Sequence, residues 1–267
     1  MDTSLALEVA RRAVRAGAAA ALPYWRADVR VETKPDRSPV TAADRASEAA
    51  ILGVIRAAFP DHAVLAEESG RHDGRADARW VVDPLDGTRG FTRGGTHWGP
   101  LVALECAGEV VAGALALPAL GETYWAARGH GAWMTVEDRA PVRLRVSSVA
   151  RWDEAVVSLG ELHKLLAPPH GAAVAALAAA AASARCYGDV ASVAMLLTGR
   201  ADAWIECGVQ PWDLGPVPVL VEEAGGRFGD FTGRRTIESG HAIAANPALF
   251  PSLIAALKSQ RAGGPDR

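Results

Sequence analysis

The sequence predicts a layered α+β or α/β fold, in which helices and strands form one large domain or two intimate halves. The first residues place apolar side chains at the spacing of an amphipathic helix. Residues 98–136 form strand-like runs separated by turns at Gly108, Gly129 and Gly131, which is typical of an antiparallel meander. Residues 156–258 alternate apolar strand-like runs with helical segments, which indicates a second unit of mixed structure.

Two helices and a short strand are predicted at the start of the chain. Residues 4–22 form the first helix, and residues 29–33 form the strand. After a polar loop, Thr41 and Asp44 have the spacing of a capping box, in which each group satisfies the other's backbone N–H. We therefore expect a second helix from this point to Ala58.

A short apolar run at residues 80–82 predicts a buried strand that leads into the central motif of the chain. Because Pro84 fixes its own φ and lacks an N–H group, we expect the strand to stop there. A second run, residues 64–66, leads into Glu67. The polar residues 70–79 between the two runs are expected to form a loop.

Strands and helices alternate through the second half of the sequence. The predicted elements are a strand at 156–159, helices at 171–184 and 188–198, a strand at 203–206, a helix at 211–224, a strand at 241–245 and a helix at 247–258. The tail, residues 261–267, is rich in Gly and Pro and is expected to be disordered.

Composition excludes several classes of protein. With 267 residues, 49% hydrophobic content and a net charge of −3, the chain can form a core and lacks the basic excess of a nucleic-acid-binding protein. Its three cysteines have neither metal-ligand nor disulfide spacing, which favours a reducing cytoplasm. No uncharged apolar run approaches the roughly 20 residues of a membrane span. We therefore expect a cytoplasmic protein that binds neither membranes nor nucleic acid.

The central motif, residues 83–88, places two carboxylates three residues apart at the end of a strand. Asp83 and Asp86 are stable so close together only with a cation between them, and Mg²⁺ is the natural candidate for oxygen ligands. Gly87 allows a sharp turn, and the N–H groups of Gly87 and Thr88 suit a phosphate. Since Asp, Pro and Gly all favour turns, a simple turn remains an alternative interpretation.

Three further acids lie at strand ends or helix starts. Glu67 follows an apolar run, Asp213 follows Trp212, and Asp44 belongs to the capping box. Individually they could be an exposed acid, a first-turn acid that favours the helix dipole, and a cap. Together with the central motif, they are what a multi-metal phosphate site requires.

Four motifs, in order, resemble those of the inositol monophosphatase superfamily of Mg²⁺-dependent, Li⁺-sensitive phosphatases. They lie at residues 34–44, 66–69, 83–88 and 212–226. Further features, such as residues 89–94 (Arg-Gly-Phe-Thr-Arg-Gly) and 185–189 (Arg-Cys-Tyr-Gly-Asp), look most like the histidinol-phosphate phosphatases of this superfamily.

The resemblance implies an αβαβα sandwich of the sugar-phosphatase type. Residues 1–140 would form an N-terminal half with an antiparallel sheet and most of the metal motifs, and residues 141–260 a smaller half that completes the site. Members of the superfamily are commonly homodimers, so a homodimer is expected. The implied metal site holds two or three Mg²⁺ ions, and its ligands would be Glu67, Asp83, the backbone carbonyl of Leu85, Asp86 and Asp213.

The resemblance also implies in-line hydrolysis of a phosphomonoester by water, without a phosphoenzyme. Thr88, paired with Asp44, would orient or deprotonate the water, and Glu67 could share the role of base. Gly87 and Thr88 would hold the phosphate through their N–H groups.

The resemblance implies that Arg185, Asp189 and Glu206 are substrate-binding residues. Two carboxylates there would suit a cationic leaving group such as histidinol, which has an ammonium group that inositol lacks. The alternative interpretation of Asp189 is that it only caps its helix. Gln210 replaces a histidine that is usual in the inositol enzymes, which argues mildly against inositol phosphate. The remaining alternatives are inositol 1-phosphate, a sugar or aminosugar phosphate, a 3′-phosphonucleotide, and a non-catalytic protein of the same fold.

Overall fold

A computed structural model describes residues 3–35, 38–75 and 77–258, apart from the side chain of Asp189. The predicted disordered tail, residues 261–267, lies outside this range. None of the helices in the described ranges combines the length and the apolar character needed to cross a membrane.

The helices of the described residues are spread along the whole chain. They are α1 (Thr3–Ala21), α2 (Ala42–Ala58), α3 (Thr88–Phe91), α4 (Leu162–Leu165), α5 (Gly171–Ala180), α6 (Asp189–Leu197), α7 (Pro211–Leu214), α8 (Val217–Glu223) and α9 (Phe250–Lys258).

The strands of the described residues form two large sheets and one small hairpin. They are β1 (Glu32–Thr33), β2 (Pro39–Val40), β3 (Ala63–Ala66), β4 (Gly70–His72), β5 (Ala78–Asp86), β6 (Gly99–Cys106), β7 (Glu109–Leu117), β8 (Glu122–Ala127), β9 (Ala132–Val136), β10 (Val142–Arg143), β11 (Val156–Leu159), β12 (Ser183–Arg185), β13 (Ala203–Cys207), β14 (Arg227–Gly229) and β15 (His241–Ala245).

The first large sheet is mostly antiparallel and the second is mixed. The first has the order β10-β9-β8-β7-β6-β5-β3-β4, in which only the β3–β5 pair is parallel. The second has the order β12-β11-β13-β15-β14, with β11 parallel to both of its neighbours. The predicted meander is confirmed as β6 to β9.

Three apolar clusters stack the elements into five layers. One cluster packs α1 and α2 on one face of the first sheet. A second joins the opposite face of that sheet to α6, α8 and one face of the second sheet. A third covers the remaining face of the second sheet with α5 and α9. The order of layers is therefore αβαβα, which confirms the predicted fold class.

The start of α2 forms as the sequence predicts. Thr41 caps the helix by accepting from the N–H of Ala43 at 3.1 Å, and the Asp44 carboxylate accepts from the Thr41 N–H at 2.8 Å. The helix then packs on α1 where Gly17 faces Ile51, because a Cβ on Gly17 would lie 2.7 Å from the Ile51 side chain. This close contact fixes α2, and with it Asp44, against α1.

The prediction that the strand would stop at Pro84 is wrong. β5 continues to Asp86, and its register with β6 shifts between Asp83 and Asp86. An irregularity of this kind leaves residues outside the regular ladder, so the missing N–H of Pro84 breaks no required bond. The Pro84 carbonyl accepts instead from the Ser47 hydroxyl at 2.6 Å.

Several other boundaries differ from the prediction because short elements interrupt the expected pattern. The polar segment 70–79 contains β4 and the first residues of β5, rather than only loop. The predicted helix 171–184 ends at Ala180, and β12 then pairs with β11. The predicted helix 211–224 is divided into α7 and α8 beside Pro216, which has no N–H group to continue the helical bonds.

The proposed division of the chain near residue 140 stays a prediction. β10 lies just beyond that position and still pairs with β9 of the first sheet. The second cluster of apolar residues also contains side chains from both sheets.

Candidate active site

The irregular end of β5 presents two carboxylates to one cleft. Asp83 is buried, and its Oδ1 accepts from the N–H of Leu85 at 2.9 Å. Asp86 is partly buried and lines the cleft. Gly87 follows with a φ of +81°, a left-handed conformation that glycine adopts without strain, and this turns the chain into α3.

Asp83, Asp86 and Asp213 bring three carboxylates together. Each offers one carboxylate oxygen, and the three oxygens lie within 4.8 Å of one another. The carboxyl group of Glu67 also lies next to that of Asp83. The structure therefore brings together the four acids that were predicted as metal ligands.

The acids of this cluster strongly disfavour one another's charges. Burial, followed by the charges of Glu67, Asp86 and Asp213, holds the pKa of Asp83 well above its usual range. Burial also raises the pKa of Glu67, and the charge of Asp213 adds to this effect. A cation among these oxygens would remove the repulsion, and an all-oxygen donor set suits a hard ion such as Mg²⁺.

Glu67 is held at the end of β3 by its neighbours. Its N–H donates to the carbonyl of Val82 at 3.1 Å, across to β5. The next two N–H groups, of Glu68 and Ser69, each donate at 2.9 Å to the buried carboxylate of Glu48 on α2. This turn directs Glu67 towards the acids of β5.

Lys34 supplies a positive charge at the edge of the acid cluster. Its ammonium donates to Glu67 Oε1 at 2.7 Å and to Glu68 Oε1 at 2.5 Å. Burial lowers the pKa of Lys34, but the bonds to both glutamates outweigh it and raise the pKa above its ordinary value. Lys34 is therefore protonated and partly balances the negative site.

Asp213 lies in the first turn of α7, as the sequence predicts. Its Oδ2 accepts from the N–H of Gln210 at 2.8 Å and forms a capping box with that residue. The same side chain belongs to the cluster of three carboxylates. The two interpretations of Asp213, first-turn acid and metal ligand, are therefore compatible.

Thr88 and Asp44 form the expected pair. The Thr88 hydroxyl lies 3.2 Å from Asp44 Oδ1 and 3.0 Å from the carbonyl oxygen of Leu85, and it can donate its single proton to one of them at a time. Asp44 Oδ2 accepts from the N–H and the hydroxyl of Thr41. Asp44 thus caps α2, and its other oxygen contacts Thr88, which lines the cleft.

Gly87 and Thr88 lie where the chain enters α3, and both line the cleft. N–H groups in the first turn of a helix have no partner within that helix, so they can bind an anion beside the metal acids. The geometry is compatible with the predicted phosphate-binding role, which stays a prediction.

The cleft has a volume of about 250 Å³, and its far wall comes from the second half of the chain. Val190, Val193 and Leu214 line it with apolar surface. Trp204 on β13 also lines this wall, and its buried indole N–H has no hydrogen-bond partner among the described residues. The cleft therefore joins an acidic floor to an apolar wall that carries further charged groups.

Glu206 lies in that wall with its carboxylate held by backbone groups. Oε1 accepts from the N–H groups of Glu161 at 3.1 Å and Cys207 at 3.0 Å. A Cβ on Gly160 would lie 1.7 Å from Glu206 Oε2, so a glycine is required where the carboxylate rests. Glu206 lines the cleft, and its role in substrate binding stays a prediction.

The structure does not bring all three expected substrate-binding residues to the cleft. Arg185 is exposed on β12, donates to the carbonyl of Ala184 at 2.9 Å and does not line the cleft. The side chain of Asp189 lies outside the described part of the chain. The next residue, Val190, donates its N–H to Asp86 and so connects α6 to the metal acids. The roles of Arg185 and Asp189 stay predictions.

Several charged residues at the site, namely Lys34, Glu48, Arg89, Glu161 and Lys164, were not predicted as site residues from the sequence. Lys34 lies within the first of the four motifs, residues 34–44. A lysine close to several acids could have indicated a counter-ion. Glu48 resembles any other acid on an amphipathic helix, since its partners are backbone groups distant in sequence. Glu161 lines the cleft together with Lys164, but it follows a strand without any recognisable motif.

Comparisons with known proteins agree with this geometry. The model of the inositol monophosphatase family matches residues 2–262. A histidinol-phosphatase from Chlorobaculum parvum is 38% identical over 96% of each chain, and one from Mycobacterium tuberculosis is 36% identical over 97% of this chain and 98% of its own. The crystal structure of the extragenic suppressor protein suhB from Bartonella henselae is 31% identical, with a TM-score of 0.81 over 96% of this chain and 97% of that one.

Proposed function

This chain belongs to the inositol monophosphatase family and is a phosphatase, and we propose that its substrate is L-histidinol phosphate, hydrolysed with the help of Mg²⁺. One observation carries the proposal. Glu67, Asp86 and Asp213 line one side of a cleft with the buried Asp83 beside them, and the carboxylate of Glu206 is held at the opposite wall. The first group suits a phosphate with its metal ions, and the second suits a leaving group with a positive charge.

The residues present fit Mg²⁺. Glu67, Asp83, Asp86 and Asp213 would hold two or three ions, together with the backbone carbonyl of Leu85. The raised pKa values of Glu67 and Asp83 show how unfavourable these charges are without a cation. When bound, Mg²⁺ supplies Lewis acidity that activates water and offsets the negative charge of the phosphate.

Thr88 and Asp44 are proposed to position the attacking water. The Thr88 proton is directed to Asp44 Oδ1 or to the Leu85 carbonyl, so the lone pairs of its oxygen can accept a hydrogen bond from water. The buried Asp44 is fixed by its bonds to Thr41 and can pass on a proton without moving. Glu67, held by Lys34, is a second acceptor for that proton.

The N–H groups of Gly87 and Thr88 are proposed to orient the phosphate for in-line attack. Their donors belong to the backbone and are fixed by the turn at Gly87, so they need no reorganisation as charge develops on the phosphate. The ester oxygen would then face the apolar wall and Glu206, and the alcohol would leave on that side of the cleft.

The choice of histidinol phosphate rests on charge and on the relatives. An ammonium group near Glu206 gains a charge-assisted hydrogen bond, which contributes roughly 1.5–3 kcal/mol. Two relatives named histidinol-phosphatase, at 38% and 36% identity, cover nearly the whole chain. Asp189 and Arg185 are retained as proposed substrate-binding residues. Inositol 1-phosphate and other sugar or aminosugar phosphates remain the alternative substrates.

A phosphate-release assay tests the proposal. Purified protein is given histidinol phosphate, inositol 1-phosphate, glucose 6-phosphate and glucosamine 6-phosphate, each with Mg²⁺ and again with excess chelator. We expect the highest kcat/KM for histidinol phosphate and loss of activity on chelation. A higher kcat/KM for inositol 1-phosphate would reject the proposed substrate, and turnover that survives chelation would reject the proposed metal chemistry.

We also propose that the protein is a homodimer and that Li⁺ inhibits it. Light scattering during size-exclusion chromatography measures the mass directly against the 27.9 kDa of one chain. Adding LiCl to the phosphate-release assay, with an equal concentration of KCl as control, tests the inhibition.

A further inference from the structure

Glu161 forms a second acidic position beside Glu206 on the far wall of the cleft. It immediately precedes α4, and its side chain lines both the cleft and the wider mouth that leads into it. Glu67 and Asp213 line the same mouth from the side of the metal acids. Glu161 therefore faces the space that a leaving group would occupy.

The backbone of Glu161 and the side chain of Glu206 form one unit. The Glu161 N–H donates to Glu206 Oε1 at 3.1 Å, and the adjacent Gly160 donates its own N–H to the carbonyl of Ile205 at 2.9 Å. Gly160 also leaves room for the Glu206 carboxylate, since a Cβ there would overlap it. The turn that holds Glu206 in place thus carries Glu161 into the cleft as well.

The carboxylate of Glu161 already binds an ammonium group. Lys164 Nζ lies 3.1 Å from Glu161 Oε2, and the same nitrogen donates to the carbonyl of Gly208 at 3.2 Å. Both side chains are about two-fifths exposed, at 42% and 41%. Exposed ion pairs contribute little to stability, so a second ammonium ion can replace Lys164 at low cost.

We propose that Glu161 is a specificity-determining residue that binds the ammonium group of the substrate in place of Lys164. The proposal rests on the proposed function. It adds Glu161 as a further substrate-binding residue and Lys164 as the group that competes with the substrate. When no cationic substrate is present, the ammonium group of Lys164 occupies the position beside the Glu161 carboxylate. A cationic leaving group gains the bond to Glu161 that a neutral one cannot form, and Glu206 adds negative potential from the same turn.

Matched substrates isolate this charge. Histidinol phosphate is compared with 3-(imidazol-4-yl)propyl phosphate, which keeps the ring and the phosphate but lacks the amine. Glucosamine 6-phosphate and glucose 6-phosphate form a second pair that differs at a single amine. The measured quantity is the ratio of kcat/KM for the amine substrate to kcat/KM for its partner. The variants are Glu161→Gln and Lys164→Gln, with the exposed Glu154→Gln as control.

In Glu161→Gln we expect this ratio to fall about tenfold, mainly through KM, as loss of one charged hydrogen bond predicts. In Lys164→Gln the ratio should rise about threefold, because the competitor is gone. Glu154→Gln should leave it at the wild-type value. Glu161→Gln keeps the backbone hydrogen bond to Glu206, and thermal unfolding verifies that this variant is folded.

An unchanged ratio in Glu161→Gln would overturn the proposal, even if both substrates of a pair were turned over more slowly. The proposed function is tested separately by the wild-type protein. If wild type does not hydrolyse histidinol phosphate, the proposed substrate is wrong, and the sugar phosphate pair still tests Glu161. If wild type hydrolyses it rapidly and the ratio does not respond to residue 161, only the role of Glu161 is wrong.

Discussion

The backbone N–H of Val190 donates a hydrogen bond to Oδ2 of Asp86. Asp86 belongs to the first sheet, and Val190 is the second residue of α6. One carboxylate therefore belongs to the proposed metal site and also links β5 of the first sheet to α6.

Replacing Asp86 by Asn should separate these two roles. The amide oxygen can still accept from Val190, while the charge offered to Mg²⁺ is lost. We expect kcat/KM to fall by at least about a hundredfold. Loss of a residue that only supports a metal ligand costs up to about that factor, and Asp86 is proposed to bind the metal directly. Thermal unfolding without Mg²⁺ should stay at or above the wild-type midpoint. Asp86→Ala, which also loses the acceptor, should unfold at a lower temperature, and equal midpoints would contradict the structural role.

Mg²⁺ should stabilise the folded protein, because it relieves repulsion among acids that folding forces together. At about 100 times its dissociation constant, one bound ion contributes about 2.7 kcal/mol, which raises the unfolding midpoint by about 5 °C or more. Differential scanning calorimetry with Mg²⁺ and with chelator measures the shift.

The matched variant for that experiment is Asp83→Asn. It removes the most buried charge of the cluster, so its metal-free form should be more stable than metal-free wild type. It should also show little response to Mg²⁺. A normal Mg²⁺ shift in this variant would exclude Asp83 as a ligand.

The Thr88 hydroxyl should be needed for the chemical step. Thr88→Ala removes the group that positions water, and we expect kcat to fall on the order of 10²-fold with little change in KM. Thr88→Ser keeps a hydroxyl within reach of Asp44 and should retain most of kcat. Single-turnover measurements with both variants test this, and equal rates for Ala and Ser would reject the role.

Gly160 should control the position of Glu206. A methyl group at residue 160 overlaps the Glu206 carboxylate, so Gly160→Ala should displace it and raise KM for histidinol phosphate about tenfold. Gly53→Ala is the control, because a Cβ on Gly53, in α2, meets no atom within 4 Å. That change should leave KM unaltered and stabilise the helix by up to about 1 kcal/mol. A KM for Gly160→Ala equal to that of wild type would show that the position of Glu206 is unimportant.

Asp230 should make stability depend on pH in the acid range. Burial raises its pKa, but bonds from the Thr232 hydroxyl and from the N–H groups of Arg234 and Thr232 outweigh this effect, so the pKa lies below its usual value. The folded state therefore favours the ionised carboxylate. This stabilisation is fully present above the unfolded pKa of about 3.9 and is lost as pH falls through the folded pKa.

The comparison for Asp230 is the variant Asp230→Asn. At neutral pH wild type should exceed it in free energy of unfolding by about 1 kcal/mol, and the difference should shrink below about pH 4. Urea unfolding at several pH values measures this difference. A difference that grows as the pH falls would have the wrong sign and contradict the assignment.

Local rules predicted the parts of the fold in which neighbours in sequence decide the structure. The capping box of Thr41 and Asp44 forms as expected, because both partners lie within one turn of helix. The meander forms as β6 to β9, since turn residues separate each pair of strands. The layered fold class itself came from a resemblance over four motifs, and the packing of the three apolar clusters confirms it.

The errors arose where contacts distant in sequence decide the local conformation. β5 continues through Pro84 because pairing with β6 resumes at Asp86 after the irregularity, which no local rule for proline includes. β12 forms only because β11 lies beside it.

The candidate site shows the same limit. Its acids stood out because they lie at strand ends or helix starts, but Lys34, Glu48 and Glu161 act through partners many residues away in the chain. The bonds from Glu48 to residues 68 and 69 cross a separation of about 20 residues, and Glu161 meets Glu206 across 45. Such pairs have no periodic pattern, so only the folded structure identifies them.

The two walls of the cleft belong to different sheets, so mutations can change one wall and leave the other unaltered. Glu67, Asp83 and Asp86 lie at the ends of strands in the first sheet, whereas Trp204 and Glu206 lie on a strand of the second. A duplicated copy of the gene can therefore evolve to act on the phosphate ester of a different alcohol through mutations in the second wall alone. For the same reason, a mutant library limited to residues 160–164 and 204–209 would explore new phosphate esters while leaving the hydrolytic wall intact.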